Sequence, residues 1–317
     1  MKILFFGLGS IGTRHLKLLK KNYNHEIYAY RTRKEDVFPG IHNIYDLEEA
    51  LKVKPDIAFI TNPTSFHIET AIICLKAGIT NLFIEKPLSD SLDNLDIFFN
   101  EIKKSSAIVH VGYSMRHNPI IKRMKELIDE IRDEIFYAQT LNSSYLPNWR
   151  PGRDYREIYS SKNAQGGGVI LDLIHEFDFN EWFFGKIKSI NGIYGKISSL
   201  EIDSEDFCDV IINFENNMHA TIHLDYFGFK AQRFVRLLTP QREILADMIK
   251  KEISFISEQK VRKETFHFER NDYFEEQLAL FLEGIEKQSK EIINVEDARG
   301  LLEKILKFKR KEKIIIN

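Results

Sequence analysis

Over roughly the first 115 residues, short apolar runs alternate with amphipathic stretches. The runs 2–6 (KILFF), 26–30 (EIYAY), 56–61 (DIAFIT), 80–85 (TNLFIE) and 107–112 (AIVHVG) predict strands. Between them, 46–52 (DLEEALK) opens with an Asp three residues before a Glu, a capping-box pattern. The stretch 65–78 (SFHIETAIICLKAG) ends on a glycine, a helix stop, and 91–104 (SLDNLDIFFNEIKK) is amphipathic. Strand and helix in repeated alternation predict a parallel sheet with helices on both faces.

Past residue 118 the rhythm changes, so the expected domains are 1–118 and 119–317. A helix over 119–130 leads into strand-like alternation in FYAQTLNSSYL, KSINGIYGKI, DFCDVIINF, MHATIHLDYF and RFVRLLT. The ENN at 215–217 marks a hairpin turn, and strands joined by short turns predict an antiparallel sheet. Two helices are expected at about 272–287 and 295–309, the second capped by Asn294. The fold class is therefore α/β: a Rossmann-type domain followed by an α+β domain. The stretch 146–168 (LPNWRPGRDYREIYSSKNAQGGG) has no period, and its length within a compact domain points to function. Its aromatics, Trp149, Tyr155 and Tyr159, argue against plain disorder.

Composition adds exclusions. Apolar residues make up 43% and charged residues 29%, with a net charge of -2, so no global field draws the chain to nucleic acid or to an anionic membrane. The basic stretch 307–313 (KFKRKEK) reads as a solvated helix end. No run reaches the roughly 20 apolar residues of a membrane span. Cys74 and Cys208, far apart and outside any Cys-x-x-Cys pair, argue against a disulfide framework or a structural zinc site and fit the cytoplasm.

The chemistry-bearing motifs begin at FFGLGSIGTRHL, where Gly7, Gly9 and Gly12 form G-x-G-x-x-G between a strand and a helix. In that setting Gly7 permits the turn, Gly9 admits a pyrophosphate, and Gly12 lets helix and strand pack closely. Backbone N–H groups from Gly9, Ser10, Ile11 and Gly12 would face the anion. At the end of the second strand, where an NAD site carries an acid, the chain reads Arg31-Thr32-Arg33. Guanidinium groups pair with a 2′-phosphate, so NADP(H) is favoured and NAD(H) remains possible; ordinary surface charges are the other reading. Thr61, Asn62 and Pro63 end the third of these strands, with His67 a turn later. Thr61 and Asn62 can bond ribose or nicotinamide groups; His67 is a cofactor-binding candidate by position, though on its own it reads as structural rather than functional. Glu85-Lys86-Pro87 closes the next strand. Lys86 there would face the nicotinamide and polarise a substrate oxygen, Glu85 would anchor the lysine or a ribose, and Pro87 would fix the turn, with a cis bond one option.

Together, GLGSIGTRH, TNPTSFH, EKPL, VGYSMRHNP and GGGVILDLIHEFD resemble the Gfo/Idh/MocA family, the glucose–fructose oxidoreductase and inositol dehydrogenase group. The resemblance implies a Rossmann domain followed by an α/β domain with a large, open, mostly antiparallel sheet. It implies a nicotinamide-dependent oxidoreductase acting on a sugar or polyol, with Lys86 catalytic and the Lys86–Pro87 bond often cis. It implies a second catalytic segment on the helix after residues 166–168, where Asp172 and His175, three apart, would share a face. His175 would exchange the hydroxyl proton. The spacing is one shorter than in many members, so Asp172 is either displaced or a structural partner. The chain shows no H-E-x-x-H, and no metal is expected. Tyr113 and Arg116 would line the interface between domains, Arg116 toward the cofactor. Trp149, Arg150, Arg153 and Tyr155 suit a ring-shaped or anionic substrate. A similar loop in members from surface-polysaccharide pathways points to an amino- or nucleotide-sugar. The exposed sheet face would form a homodimer or homotetramer. Within the same resemblance lie glycosidases with retained NAD and non-catalytic sensors. The sensors can lack the lysine or histidine that this chain keeps.

Overall fold

The computed structural model describes residues 1–32, 38–288, 295–311 and 313–315. They form two compact units: Met1–Tyr113 with Arg270–Arg299, and Ser114–Glu269 with Gly300–Asn317. The sequence places the boundary at 118/119 and assigns the whole C-terminal part to the second domain. The structure moves the break to Tyr113/Ser114 and returns the segment from Arg270 to the first unit.

The first unit opens with β1 (Lys2–Phe6), α1 (Ser10–Asn22) and β2 (Glu26–Tyr30). Next come β3 (His42–Ile44), α2 (Leu47–Lys52), β4 (Ile57–Ile60) and α3 (His67–Lys76). The run closes with β5 (Asn81–Glu85), α4 (Leu95–Ser105) and β6 (Ile108–Gly112). The sheet is parallel in the order β3-β2-β1-β4-β5-β6. In the central β4 every residue is buried, which requires cover on both faces. The short β3 carries too few apolar residues to show in the pattern. The N-cap half of the capping pattern forms, with Asp46 accepting the Glu49 N–H at 2.9 Å.

The second unit begins with α5 (Pro119–Ile131), capped by Asn118, whose side chain accepts the Ile120 N–H at 2.9 Å. Then come β7 (Tyr137–Ser143), α6 (Val169–Asp172) and α7 (His175–Phe184). The remaining strands before residue 270 are β8 (Ile187–Lys196), β9 (Phe207–Phe214), β10 (His219–Asp225), β11 (Gln232–Leu238), β12 (Glu243–Asp247), β13 (Glu252–Ile256) and β14 (Val261–Thr265). The last elements are α8 (Arg270–Glu286), α9 (Val295–Lys311) and β15 (Lys313–Ile315). Nine strands form one sheet, β14-β13-β12-β11-β7-β10-β9-β8-β15, antiparallel except at β7–β10 and β8–β15. The ENN hairpin joins β9 to β10, with Asn217 at φ 65°. The expected cap Asn294 lies outside the described residues.

Helix α8 belongs to the first unit because of its aromatic face. Phe281 packs against Phe59, Phe83 and His110, and Phe274 lies 5.6 Å from the His15 ring. The aperiodic stretch 146–168 is ordered as short 3-10 turns at Leu146–Asn148, Tyr155–Glu157, Tyr159–Ser161 and Asn163–Gln165.

Candidate active site

In the first unit, β1, β4 and β5 are neighbours, so their C-terminal ends converge on one sheet edge. The glycine loop leaves β1 there. Gly7 has φ +93° and sits so close to β4 that a Cβ would lie 2.7 Å from the Asn62 backbone. A Cβ on Gly12 would meet the Gly7 oxygen at 2.3 Å. The Thr61 hydroxyl donates to that same oxygen at 2.5 Å, stapling the loop to β4. Gly9 is the opposite case, with nothing within 4 Å of an added Cβ. Helix α1 begins at Ser10, followed by Ile11, without a side-chain cap, so its first N–H groups remain for an anion. Asn62 donates to Thr70 Oγ1 at 2.9 Å, while its own Oδ1 is buried without a partner. An open glycine, an uncapped helix start and an orphaned acceptor fit a dinucleotide cofactor.

Lys86 leaves β5 half-buried, and the Lys86–Pro87 bond is cis. Glu85 is already committed: its Oε1 lies 2.6 Å from His15 Nε2, and its Oε2 accepts the Lys86 backbone N–H at 3.2 Å. His67 is buried, its Nδ1 2.9 Å from the Pro87 oxygen and its Nε2 3.0 Å from the Asn62 oxygen. Burial pushes the His67 imidazole below its ordinary range, with the two carbonyls opposing in part. At the expected ribose end, Arg31 donates its backbone N–H to the Ile44 oxygen at 2.8 Å. Its guanidinium lies 5.4 Å over the Phe38 ring, and the residue is 8% exposed. Thr32 is exposed, and Arg33 lies outside the described residues.

The second unit gathers a different set. Asp172 ends α6 and His175 begins α7, so a break at Leu173–Ile174 separates them and the single helix expected after the glycines is not continuous. The Asp172 carboxylate, 7% exposed, accepts the Tyr159 hydroxyl on Oδ1 and the Tyr226 hydroxyl on Oδ2, the latter at 3.0 Å. Burial, and then the nearby Asp172 charge, push both phenols well above the ordinary tyrosine value, so they stay protonated as donors. Trp149 packs edge-on against Tyr226 at 5.1 Å and donates its indole N–H to Ser144, and Arg150 lies over the Tyr159 ring. Gly167 is needed because a Cβ there would meet the Tyr159 oxygen at 2.3 Å. His175 is half-buried. The next residue, Glu176, is fully buried and accepts from Asn142 at 2.8 Å and Arg233 at 2.7 Å.

Other expected residues have different surroundings. Arg116 forks Asp178 on α7 at 2.7 and 3.0 Å and lies over Trp182. That bidentate pair, with Asp178 1% exposed, anchors a helix. Tyr113 is 1% exposed, in the packed interior. The Tyr155 hydroxyl accepts the Glu201 N–H at 3.2 Å, and Arg153 is exposed. Sequence reasoning missed His15, Tyr159 as a carboxylate partner, and Tyr226. His15 stood in the quoted glycine motif, and Tyr226 ends a strand-like run, but neither carries a spacing signal. Both cysteines are buried thiols, pushed up by burial. Among the described residues, no group of His, Cys, Asp and Glu is placed to hold a metal ion, and no helix is long and apolar enough to cross a membrane.

A parallel sheet with a glycine cradle, and in the same chain a large, mostly antiparallel sheet carrying a His–Asp segment, define a dinucleotide-binding oxidoreductase. The chain belongs to the Gfo/Idh/MocA family. The family profile described as "Oxidoreductase family, NAD-binding Rossmann fold" matches residues 1–113, and the GFO/IDH/MocA C-terminal domain matches residues 121–237. The chain is 24% identical to a myo-inositol 2-dehydrogenase of Thermotoga maritima over 95% of this chain and 93% of the relative. It is 31% identical to the 4-carboxy-2-hydroxymuconate-6-semialdehyde dehydrogenase of a Sphingobium species, over 68% of this chain and 73% of that one. The solved structure of levoglucosan dehydrogenase in complex with NADH superposes with a TM-score of 0.84 at 14% identity, covering 99% of this chain and 98% of that one.

Proposed function

We propose that this oxidoreductase moves a hydride between a nicotinamide dinucleotide and a carbinol or keto carbon of a sugar, amino sugar or nucleotide sugar, in surface-polysaccharide biosynthesis in the cytoplasm. The observation that carries the reading is the convergence of the open Gly9 turn, the orphaned Asn62 acceptor and Lys86 on adjacent strand ends. When bound, the nicotinamide supplies or accepts the hydride. Lys86 donates a hydrogen bond to the substrate oxygen and favours negative charge developing there. His175 takes or returns the hydroxyl proton. Asp172, gripped by two tyrosines, orients the segment that carries His175. The near end-to-end match to a myo-inositol dehydrogenase supports a polyhydroxylated ring as substrate. Arg150 and Trp149 support one extended by a charged or ring-shaped group.

NADP(H) is favoured because β2 ends at Tyr30 and is followed by Arg31-Thr32, without the carboxylate that receives a ribose 2′-hydroxyl. The protein pairs with itself through the open sheet face, where Ile193 and Ile211 are 42% and 52% exposed while their strand neighbours Tyr194, Val210 and Ile212 are buried. The test is near-ultraviolet absorbance of the purified protein with NADP+ or NAD+ and a panel of polyols, sugars and nucleotide sugars. One substrate should reduce the cofactor, and Lys86→Met should lower kcat about 10²- to 10³-fold while leaving cofactor binding intact. Silence in both reaction directions, with cofactor bound, would overturn the reading.

A further inference from the structure

Two buried histidines meet the Glu85-Lys86-Pro87 turn from its two ends. On one side, His15 reaches from α1 to Glu85 Oε1 at 2.6 Å, and Glu85 Oε2 takes the Lys86 N–H. The carboxylate has little room to shift, because Gly112 on β6 lies so near that a Cβ there would be 3.1 Å from it. On the other side, His67 reaches from the start of α3 to the Pro87 oxygen at 2.9 Å. His15 is 0% and His67 1% exposed, so neither ring faces solvent.

The residue type fits the place. The His15 ring packs among Phe83, Phe274 and Phe59 at 4.8, 5.6 and 5.9 Å, where a flexible cation would be costly to desolvate. Imidazole supplies an aromatic body and one directed N–H. The Nδ1 of His15 is buried without a partner, so the tautomer with its proton on Nε2 leaves no orphaned donor and aims that proton at Glu85.

We infer that His15 and His67 are positioning residues for Lys86, His15 acting through the Glu85 carboxylate on the lysine N–H and His67 acting on the carbonyl one residue further. The inference rests on the reading of Lys86 as the group that touches substrate. A long side chain on a loose backbone spreads its ammonium over several ångströms, and misplacement by about 1 Å at a reacting centre can cost about a hundredfold in rate. Fixing the backbone on both sides of Lys86 limits that spread. Neutral His67 has a single N–H to give, and carbonyls only accept, so it serves either Pro87 or Asn62 at one time.

The test begins without a substrate. Lysines are reductively ¹³C-methylated, the Lys86 signal is identified by its loss in Lys86→Arg, and its NMR position is followed with NADPH bound. His15→Leu should displace or broaden that signal, and His15→Gln, which keeps an N–H near the Nε2 position, should restore it. His67→Asn keeps a donor near Nδ1, toward Pro87, and should leave the signal in place. His67→Gln offers its donor toward Asn62 and should displace it. If the leucine variant does not fold, the Asn/Gln pair at His67 still decides. A Lys86 signal unmoved in both His15→Leu and His67→Gln would overturn the inference. With an active substrate in hand, the disruptive variants should lose ten- to a hundredfold in kcat with cofactor Kd unchanged. Signals that move as expected in a protein without dehydrogenase activity would support the bracket and count against the proposed reaction alone.

Discussion

The residues of the candidate site in the first unit and those in the second are held by different means. Around Lys86 one buried carboxylate, Glu85, is held by His15, and the other ties end on backbone carbonyls: a threonine hydroxyl on that of Gly7 and a histidine on that of Pro87. Around Asp172 and His175 the ties are buried carboxylates, each gripped from distant strands or turns. Tyr159 and Tyr226 hold Asp172, Asn142 and Arg233 hold Glu176, and Arg116 holds Asp178. The contrast shows two ways to fix a functional segment. Parallel strand ends converge by topology, and a few side chains then pin the backbone there. A helix lying on an antiparallel sheet has no such edge, and side chains must lock it.

The largest expected effect falls on the second kind of tie. Arg233→Met leaves Glu176 buried and without its cation, which should cost about 3–5 kcal/mol in urea unfolding. Adding Glu176→Gln should recover much of the loss, because the uncompensated charge is then gone. A small effect of the single change would show that α7 does not depend on this pair. A smaller effect is expected in the glycine cradle. Helix propensity alone would favour Gly12→Ala by about 1 kcal/mol. The Cβ would instead meet Gly7 oxygen and Thr61 Oγ1 at 2.3 and 2.5 Å, and such overpacking should destabilise by about 1–3 kcal/mol. A stabilised variant would mean that the loop can step away from β4.

The smallest effect separates the units by pH. In the first unit, burial holds His67 below the ordinary value of 6.5, so the unfolded chain binds more protons than the native one. The stability linked to His67 is therefore full above 6.5 and lost as pH falls toward its native value. In the second unit, the hydrogen bond to Asp225 raises His223, and burial opposes it. That contribution is full below 6.5 and lost as pH rises through the native value. Subtracting the stability–pH curves of His67→Asn and His223→Asn from the parent should give slopes of opposite sign. Matching signs would contradict one of the two assignments.

Much of the nucleotide-binding half was legible because its signals are local. A glycine spacing encodes a turn, an apolar run a buried strand, and an Asp–Glu spacing the cap of α2. The strand β3 was invisible because its three residues are only partly buried or exposed. The nine-stranded sheet was legible in character but not in extent: β14 (VRKET) has a single apolar residue and β15 only three residues, too little pattern to mark a strand. The partners of Asp172 could not be read, because Tyr159 and Tyr226 stand 13 and 54 residues from it. Arg116 was read as lining the interface between domains, toward the cofactor. The anion it forks in the structure is Asp178, 62 residues on.

By itself the sequence determined the two kinds of sheet, the glycine cradle, the turn carrying Lys86 and the resemblance that names the family, because each is written in residues adjacent along the chain. Only the tertiary structure decided that α8 packs with the first unit, that His15 and His67 flank the Lys86 turn, and that two tyrosines hold Asp172. The physical reason is that local patterns set backbone conformation and burial. Which side chain meets which is set by the packing of elements far apart in the chain, and a helix with an aromatic face or a lone buried histidine carries no address until that packing supplies one.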